Sequence, residues 1–183
     1  RCGEQELTAL LRQCQQASVD EVVERLGDGQ GLPSIDGDAA ALPWPDASFT
    51  VVTCMSVFEA FPDPSGVVAE VFRVLRPGGR AVLNIDDEHG VRLAGRLPDA
   101  VTVSARGAAA QVRVVSAELQ GSGTKLELDT PIGRVRLTSS LVGGFNVDNL
   151  TAAVGVGVAL GLDAATIASG LAAVQRVPGR LER

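Results

Sequence analysis

Residues 49–85 open with Phe49-Thr50-Val51-Val52-Thr53-Cys54-Met55 and close with Arg80-Ala81-Val82-Leu83-Asn84-Ile85. Both runs are apolar, and the first is rich in β-branched residues, the composition of strands buried on both faces. Between them Pro62-Asp63-Pro64-Ser65 opens a helix with Ser65 as its N-cap. Val67, Val68, Val71, Phe72 and Leu75 repeat at helical spacing as its apolar face. Pro77-Gly78-Gly79 stops it, giving a predicted helix over 65–76. A strand, a crossover helix and a second strand make a βαβ unit, which requires parallel strands.

The same alternation continues downstream. Asp86 or Asp87 caps a helix to about Gly95, and Ala100–Ser104 is a further short strand. The strand at 80–85 is expected to pair with 49–55 on one side and 100–104 on the other. Gln111–Leu119, Thr124–Asp129 and Arg134–Thr138 then follow, joined by Gly121-Ser122-Gly123 and Pro131-Ile132-Gly133. Period-2 alternation at Leu126/Leu128 and Val135/Leu137 marks an antiparallel meander. The alternation slips between Val114 and Val115, which predicts a bulge. Asn146 is expected to cap a buried, Gly/Ala-rich helix to about Leu160, and Asp163 a last helix to about Val174. Upstream, Leu7, Leu10, Leu11 and Cys14 place a helix over Glu4–Gln16. Ser18 and Glu21 form a capping box for a helix to Leu26, stopped by Gly27-Asp28-Gly29. Gly31–Ser48 reads as loop. The fold class is therefore α/β: an open, mostly parallel, Rossmann-like sheet with helices, plus a three-stranded antiparallel meander.

Composition narrows the function. The 183 residues carry a net charge of −6, which argues against nucleic acid as a partner. Residues 1–80 hold all of that net charge, and residues 81–183 balance to zero. No apolar run reaches the roughly 20 residues of a membrane span. The longest, Leu150–Leu162, is broken by Gly155, Gly157 and Gly161. No signal peptide is recognisable, and three cysteines, an odd count, fit a reducing compartment, so a cytoplasmic location is expected. Cys2 and Cys14 are too far apart for a metal-binding pair, and Cys54 reads as a buried strand residue. His89 reads as a surface residue at a helix start. No metal ligand and no catalytic residue is assigned. A small-molecule nucleotide or cofactor is the expected partner, and the oligomeric state is not legible.

Two resemblances give that expectation content. Gly37-Asp38-Ala39-Ala40-Ala41-Leu42-Pro43-Trp44-Pro45-Asp46-Ala47-Ser48-Phe49, then Phe61-Pro62-Asp63-Pro64, then Val74-Leu75-Arg76-Pro77-Gly78-Gly79-Arg80 resemble the class I S-adenosylmethionine-dependent methyltransferases. This implies that Asp38 meets the adenine amino group of the cofactor, a task suited to a pure acceptor. Gly3, with Cys2 and Glu6-Leu7-Thr8, resembles the tail of the family's glycine-rich loop. The strand before that loop is absent, Gln5 stands where a glycine is expected, and Thr50 replaces the usual Asp. The S-adenosylmethionine site is thus incomplete.

From Ala81 onward the chain resembles the central domain of the Mur ligases, of the UDP-N-acetylmuramoyl-tripeptide synthetase type. The landmarks are Ala81-Val82-Leu83-Asn84-Ile85-Asp86-Asp87, the meander, Gly143-Gly144-Phe145-Asn146-Val147-Asp148-Asn149-Leu150 and Val177-Pro178-Gly179-Arg180-Leu181-Glu182-Arg183. These enzymes use ATP with magnesium to activate a carboxylate for amide formation in peptidoglycan-precursor synthesis. The resemblance implies that Asn149, with Asn146 beside it, lies on the adenine side, and that Arg180 reaches the terminal phosphate. The family's phosphate loop with Lys-Ser/Thr is missing from these residues, and the single lysine, Lys125, lies in the meander. The family's Glu and His metal ligands and its C-terminal domain have no counterpart either.

The two resemblances meet at Pro77–Leu83, which fits both. The sequence therefore reads as a chimera joined on a shared unit, with segments 1–80 and 81–183, whether natural, engineered or mis-joined. Residues 1–35, without partner strands, are expected to be the least ordered. The expected function is a Mur-ligase-like ATP-dependent ligase segment, with catalysis by this chain alone not expected. The alternatives are a methyltransferase-like protein with an incomplete cofactor site and a non-catalytic α/β domain.

Overall fold

The computed structural model describes residues 38–54 and 65–174. The helices expected over Glu4–Gln16 and Ser18–Leu26, the expected disorder of residues 1–35, and the candidate residues Gly3 and Arg180 all lie outside the described residues.

Six strands form one sheet in sequence order: β1 (Phe49–Cys54), β2 (Leu75–Asn84), β3 (Val101–Ser104), β4 (Val112–Gln120), β5 (Gly123–Thr130) and β6 (Gly133–Ser139). The first four run parallel, and β4, β5 and β6 are antiparallel. The pairing of β2 between β1 and β3 is the one expected from the βαβ reading. The meander is not a separate layer, because β4 lies parallel beside β3 with Val103 opposite Val112. The expected bulge is present: the register shifts between Val114 and Ser116, which leaves Val115 unpaired and exposed.

Alternation along β2 builds two cores. Ala81 and Leu83 face Val67, Val71 and Val74 of α1 (Ser65–Val74) and Leu93 of α2 (Glu88–Ala94). Val82 faces the other way, with Val101 and Val103, into α3 (Phe145–Ala159) and α4 (Ala164–Ala173). The boundary between residues 80 and 81 therefore falls inside a single strand. α3 is buried continuously from Asn149 to Val158. A Cβ on Gly155 would approach Val82 Cγ1 to 3.0 Å and overlap Val103 Cγ1 more closely still, so glycine is what lets α3 lie this near the sheet.

Three local expectations need correction. α1 ends at Val74, not at residue 76, because the residue before a proline is driven out of the helical region. Leu75 instead pairs with Phe49, and Arg80 with Val51, so Arg76–Gly79 loop out of the ladder. Phe72, expected on the apolar face of α1, is 54% exposed, because the buried stripe follows Val67, Val71 and Val74. Asn146 does not cap α3; the cap residue is Gly144, which makes no side-chain cap bond. Asp87 caps α2 by accepting from the Gly90 N–H, and Asp163 caps α4 by accepting from the Ala165 and Thr166 N–H groups.

Residues 38–48 carry no helix or strand and are fastened to α1 by Arg73. Its guanidinium donates to both Glu70 carboxylate oxygens, to Asp46 and to the carbonyls of Leu42 and Trp44. The Trp44 ring meets Phe49 edge to face at 5.4 Å.

Candidate functional site

In an open parallel sheet the carboxyl ends of the strands are where ligands bind, because the loops there diverge. Here those ends belong to β2 and β3, and α3 brings its first turn to them. Gly155 of α3 packs on the middles of β2 and β3, while Asp148, two turns earlier, lies within electrostatic reach of Asp86 and Arg106. α3 therefore runs back along the strands with its N-terminus above their carboxyl ends.

The first turn of α3 holds two of the residues singled out from the sequence. Asn149 is 4% exposed, and its Nδ2 donates to Asn146 Oδ1 at 3.3 Å. Asn146, 5% exposed, donates through its own Nδ2 to the Val142 carbonyl at 2.7 Å. No hydrogen bond to the Asn149 amide carbonyl is made among the described residues. Burial, together with the neighbouring Asp86 carboxylate, pushes the Asp148 carboxyl above the usual carboxylate range, and the Arg106 guanidinium opposes that shift.

Beneath this turn the ends of β2 and β3 are stitched together by Asp86. Its carboxylate accepts from Ser104 Oγ at 2.5 Å, from the Ala105 N–H at 2.8 Å and from the Arg106 N–H at 3.4 Å. Ser104 is fully buried, and its Oγ in turn accepts from the Ala108 N–H. The Asp86 carbonyl accepts from Arg106 Nη1 at 3.4 Å. Sequence reasoning considered Asp86 only as a helix cap. The pair Asp86-Asp87 gave no sign of which member turns outward to cap and which turns back to the next strand.

The remaining candidates lie elsewhere. Asp38 is exposed and accepts from the Ala40 N–H within its own turn. Lys125 is exposed on β5, opposite Glu118 and Thr138. His89 is partly exposed in α2, with Nδ1 3.1 Å from Arg92 Nη2. No group of three or more His, Cys, Asp or Glu among the described residues could hold a metal ion. A cleft of about 440 Å3 lies at the opposite, amino end of β2, walled by Phe72, Leu75, Arg76, Arg80 and Leu97. None of the candidate residues lines it, so its place in the fold, away from the carboxyl ends, sets it apart from this site.

Residues 67–157 match the family model of the Mur ligase middle domain, and residues 4–83 match that of a methyltransferase domain. The chain joins a methyltransferase-like segment to a Mur-ligase-like one. A UDP-N-acetylmuramoyl-L-alanyl-D-glutamate--2,6-diaminopimelate ligase from Gloeobacter violaceus is 47% identical over 105 residues, covering 57% of this chain and 21% of that enzyme. A crystal structure of MurF from Acinetobacter baumannii superposes with a TM-score of 0.59 and 25% identity, covering 74% of this chain and 31% of that one. A UDP-N-acetylmuramoyl-L-alanyl-D-glutamate--2,6-diaminopimelate ligase structure shares the fold over 98% of this chain and 45% of its own, with a TM-score of 0.61 at 17% identity. The chain spans about a fifth of the length of the curated relatives it matches. The Mur-ligase-like match takes in β2 to most of α3, and with it the whole Asp86–Ser104 stitch and the Asn149 turn.

Proposed function

We propose that the Mur-ligase-like segment binds the adenine end of ATP, with magnesium as the counter-ion of its phosphates, as a piece of a peptidoglycan-precursor amide ligase. The observation that carries this reading is the buried Asn149 at the carboxyl ends of β2 and β3, held by Asn146 with its carbonyl unspent. An amide presents both a donor and an acceptor, the pattern an adenine edge requires. Arg180 is the residue proposed to reach the terminal phosphate. These 183 residues contain no Gly-rich loop with Lys-Ser/Thr, so they offer the phosphates no such cradle. Affinity is expected near millimolar, about −4 kcal/mol, and ligation by this chain alone is not expected. No described helix is long and apolar enough to cross a membrane, and a cytoplasmic setting with small-molecule partners fits the reading.

The test is thermal unfolding with and without ATP–magnesium. At ten times a millimolar Kd the ligand stabilises by about 1.4 kcal/mol, which raises Tm by about 3–6 °C for a chain of this size. Asn149→Ala should abolish the rise. A rise that survives Asn149→Ala defeats the reading.

The match of residues 4–83 to a methyltransferase domain supports a second reading, in which Asp38 and Gly3 contact S-adenosylmethionine. S-adenosylmethionine stabilisation lost in Asp38→Ala would favour it over the first. The same pair of ligands, added separately, tests whether segments 1–80 and 81–183 act as distinct units.

A further inference from the structure

We propose that β1 is an interaction edge at which a second copy of this chain pairs antiparallel across a two-fold axis, continuing the sheet from one copy into the next. The two edges of the sheet are built differently. β6 carries Arg134 and Arg136 on its outer face, ion-paired to Glu127 and Asp129, while its Val135 and Leu137 enter the core. A strand buried on one face and charged on the other is a form in which natural sheets end without pairing further. β1 has the opposite make-up. Phe49-Thr50-Val51-Val52-Thr53-Cys54 carries no charge, no proline and no glycine. Val52 enters the core beneath α1, and Val51 packs on the core beneath α3, so the strand serves both faces of the sheet. That is the composition of an interior strand. Yet among the described residues β1 pairs only with β2, and Thr50 is exposed.

The rest of the sequence offers no strand to complete that edge. Glu4–Gln16 and Ser18–Leu26 have helical patterns, and Gly31–Ser48 has the composition of a loop. Residues 55–64 connect β1 to α1, and Val177-Pro178-Gly179 breaks the C-terminal stretch. The matching uncharged strand is β1 of another copy. Antiparallel pairing of β1 with itself sets uncharged, mostly β-branched residues opposite one another, with no like charges to meet. A two-fold contact uses the same edge on both copies and closes on itself. The charged β6 edges are left at the two ends, so growth stops at two copies. Six residues a side make a small interface, so association is concentration-dependent.

Sedimentation equilibrium of the full chain, from about 5 to 500 μM, tests this. The mass should rise from 18.9 kDa toward twice that value and no further. Thr50→Lys, at an exposed position, puts a cation on each uncharged edge and should weaken association at least about tenfold, with circular dichroism unchanged. Thr138→Glu, on the outer face of β6 opposite Lys125, should leave association unchanged. Hydrogen exchange on the unaltered chain gives a second readout, which stands even where Thr50→Lys does not fold. The alternate β1 amides that point away from β2 should exchange freely at the lowest concentration and slow at the highest. A mass that stays at 18.9 kDa, a mass that climbs past two copies, or association indifferent to Thr50→Lys overturns the proposal. So does slow exchange of those amides at every concentration, which would mean that the chain's own residues cover the edge.

Discussion

Gly155→Ala offers the sharpest test of how α3 meets the sheet. In an exposed helix this change stabilises by about 1 kcal/mol, because alanine restricts the unfolded chain and favours the helix. Here the added Cβ would overlap Val103 Cγ1, closer than real Cβ atoms come to a neighbour, and would sit 3.0 Å from Val82 Cγ1, a tight contact. Both valines are buried in mid-strand, so neither methyl can swing away. Relieving the contact requires α3 to lift by about an ångström or the valines to leave their rotamers. Such overpacking costs about 1–3 kcal/mol and exceeds the propensity gain. The net effect is a loss of up to about 2 kcal/mol, a fall in Tm of up to about 4–8 °C by circular dichroism at 222 nm. The companion variant Val103→Ala removes the offending methyl. In the double variant the closer clash disappears and the contact with Val82 remains, so the two single losses should sum to more than the measured total by about 1 kcal/mol. A higher Tm for Gly155→Ala, or strict additivity with Val103→Ala, would show that α3 does not lie on β2 and β3 as described.

Arg73→Ala should lower Tm by about 5 °C, and Arg73→Lys should rescue little of it, because five bonds on one planar fork cannot be remade by a single ammonium. The Glu70 carboxyl is held below its ordinary value of 4.5 by its hydrogen bond to Arg73, against the opposing effect of burial. Its contribution to stability is therefore present above about pH 4.5 and is lost as pH falls through the lowered folded value. Glu70→Gln should flatten the acid limb of a Tm-against-pH curve, and an unchanged limb would remove Glu70 from that account. Asp163→Ala strips α4 of its cap and should lower Tm by a few degrees with the largest change in hydrogen exchange at Ala165 and Thr166, whose N–H groups it holds.

What could be read from residues alone was local. Apolar runs at 49–55, 80–85 and 100–104, broken by Gly and Pro, are enough to place strands and their parallel neighbours, because burial on both faces tolerates little else. The slip at Val114 was legible for the same reason, since period-2 alternation has no other way to lose step. The failures were at positions where a distant partner decides. Asn146 has the chemistry of a cap, yet its amide is drawn to the Val142 carbonyl and to Asn149. Phe72 fits a helical stripe on paper, but the sheet reaches only the row through Val67, Val71 and Val74. At the site, Asn149 was found through resemblance. The bonds from Asp86 to Ser104 and Arg106 were not, since eighteen residues separate the Asp86 carboxylate from the hydroxyl it binds and no spacing rule links them.

The place where the two resemblances overlap has a mechanical reason to tolerate a change of partner. Both family matches contain residues 67–83, which span most of α1 and nearly all of β2. Register matters from Arg80 onward: a slip of one residue would turn Val82 toward α1 and drive Ala81 and Leu83 into the α3 side, exchanging the two cores. Just before that point the chain is insulated from such a slip. Leu75 is opposite Phe49 and Arg80 opposite Val51, so β2 spends five residues where β1 spends two, and Arg76–Gly79 pair with nothing in the ladder. Gly78 takes a φ of 79°, and a Cβ on Gly79 would meet the Arg76 and Thr50 carbonyl oxygens, so the excursion is one that Pro-Gly-Gly can make and bulkier residues cannot. A helix arriving from one side can thus be long or short by a residue without moving the strand that follows. The Pro-Gly-Gly turn, which by itself says only that a helix ends, lies inside the stretch that both family models match.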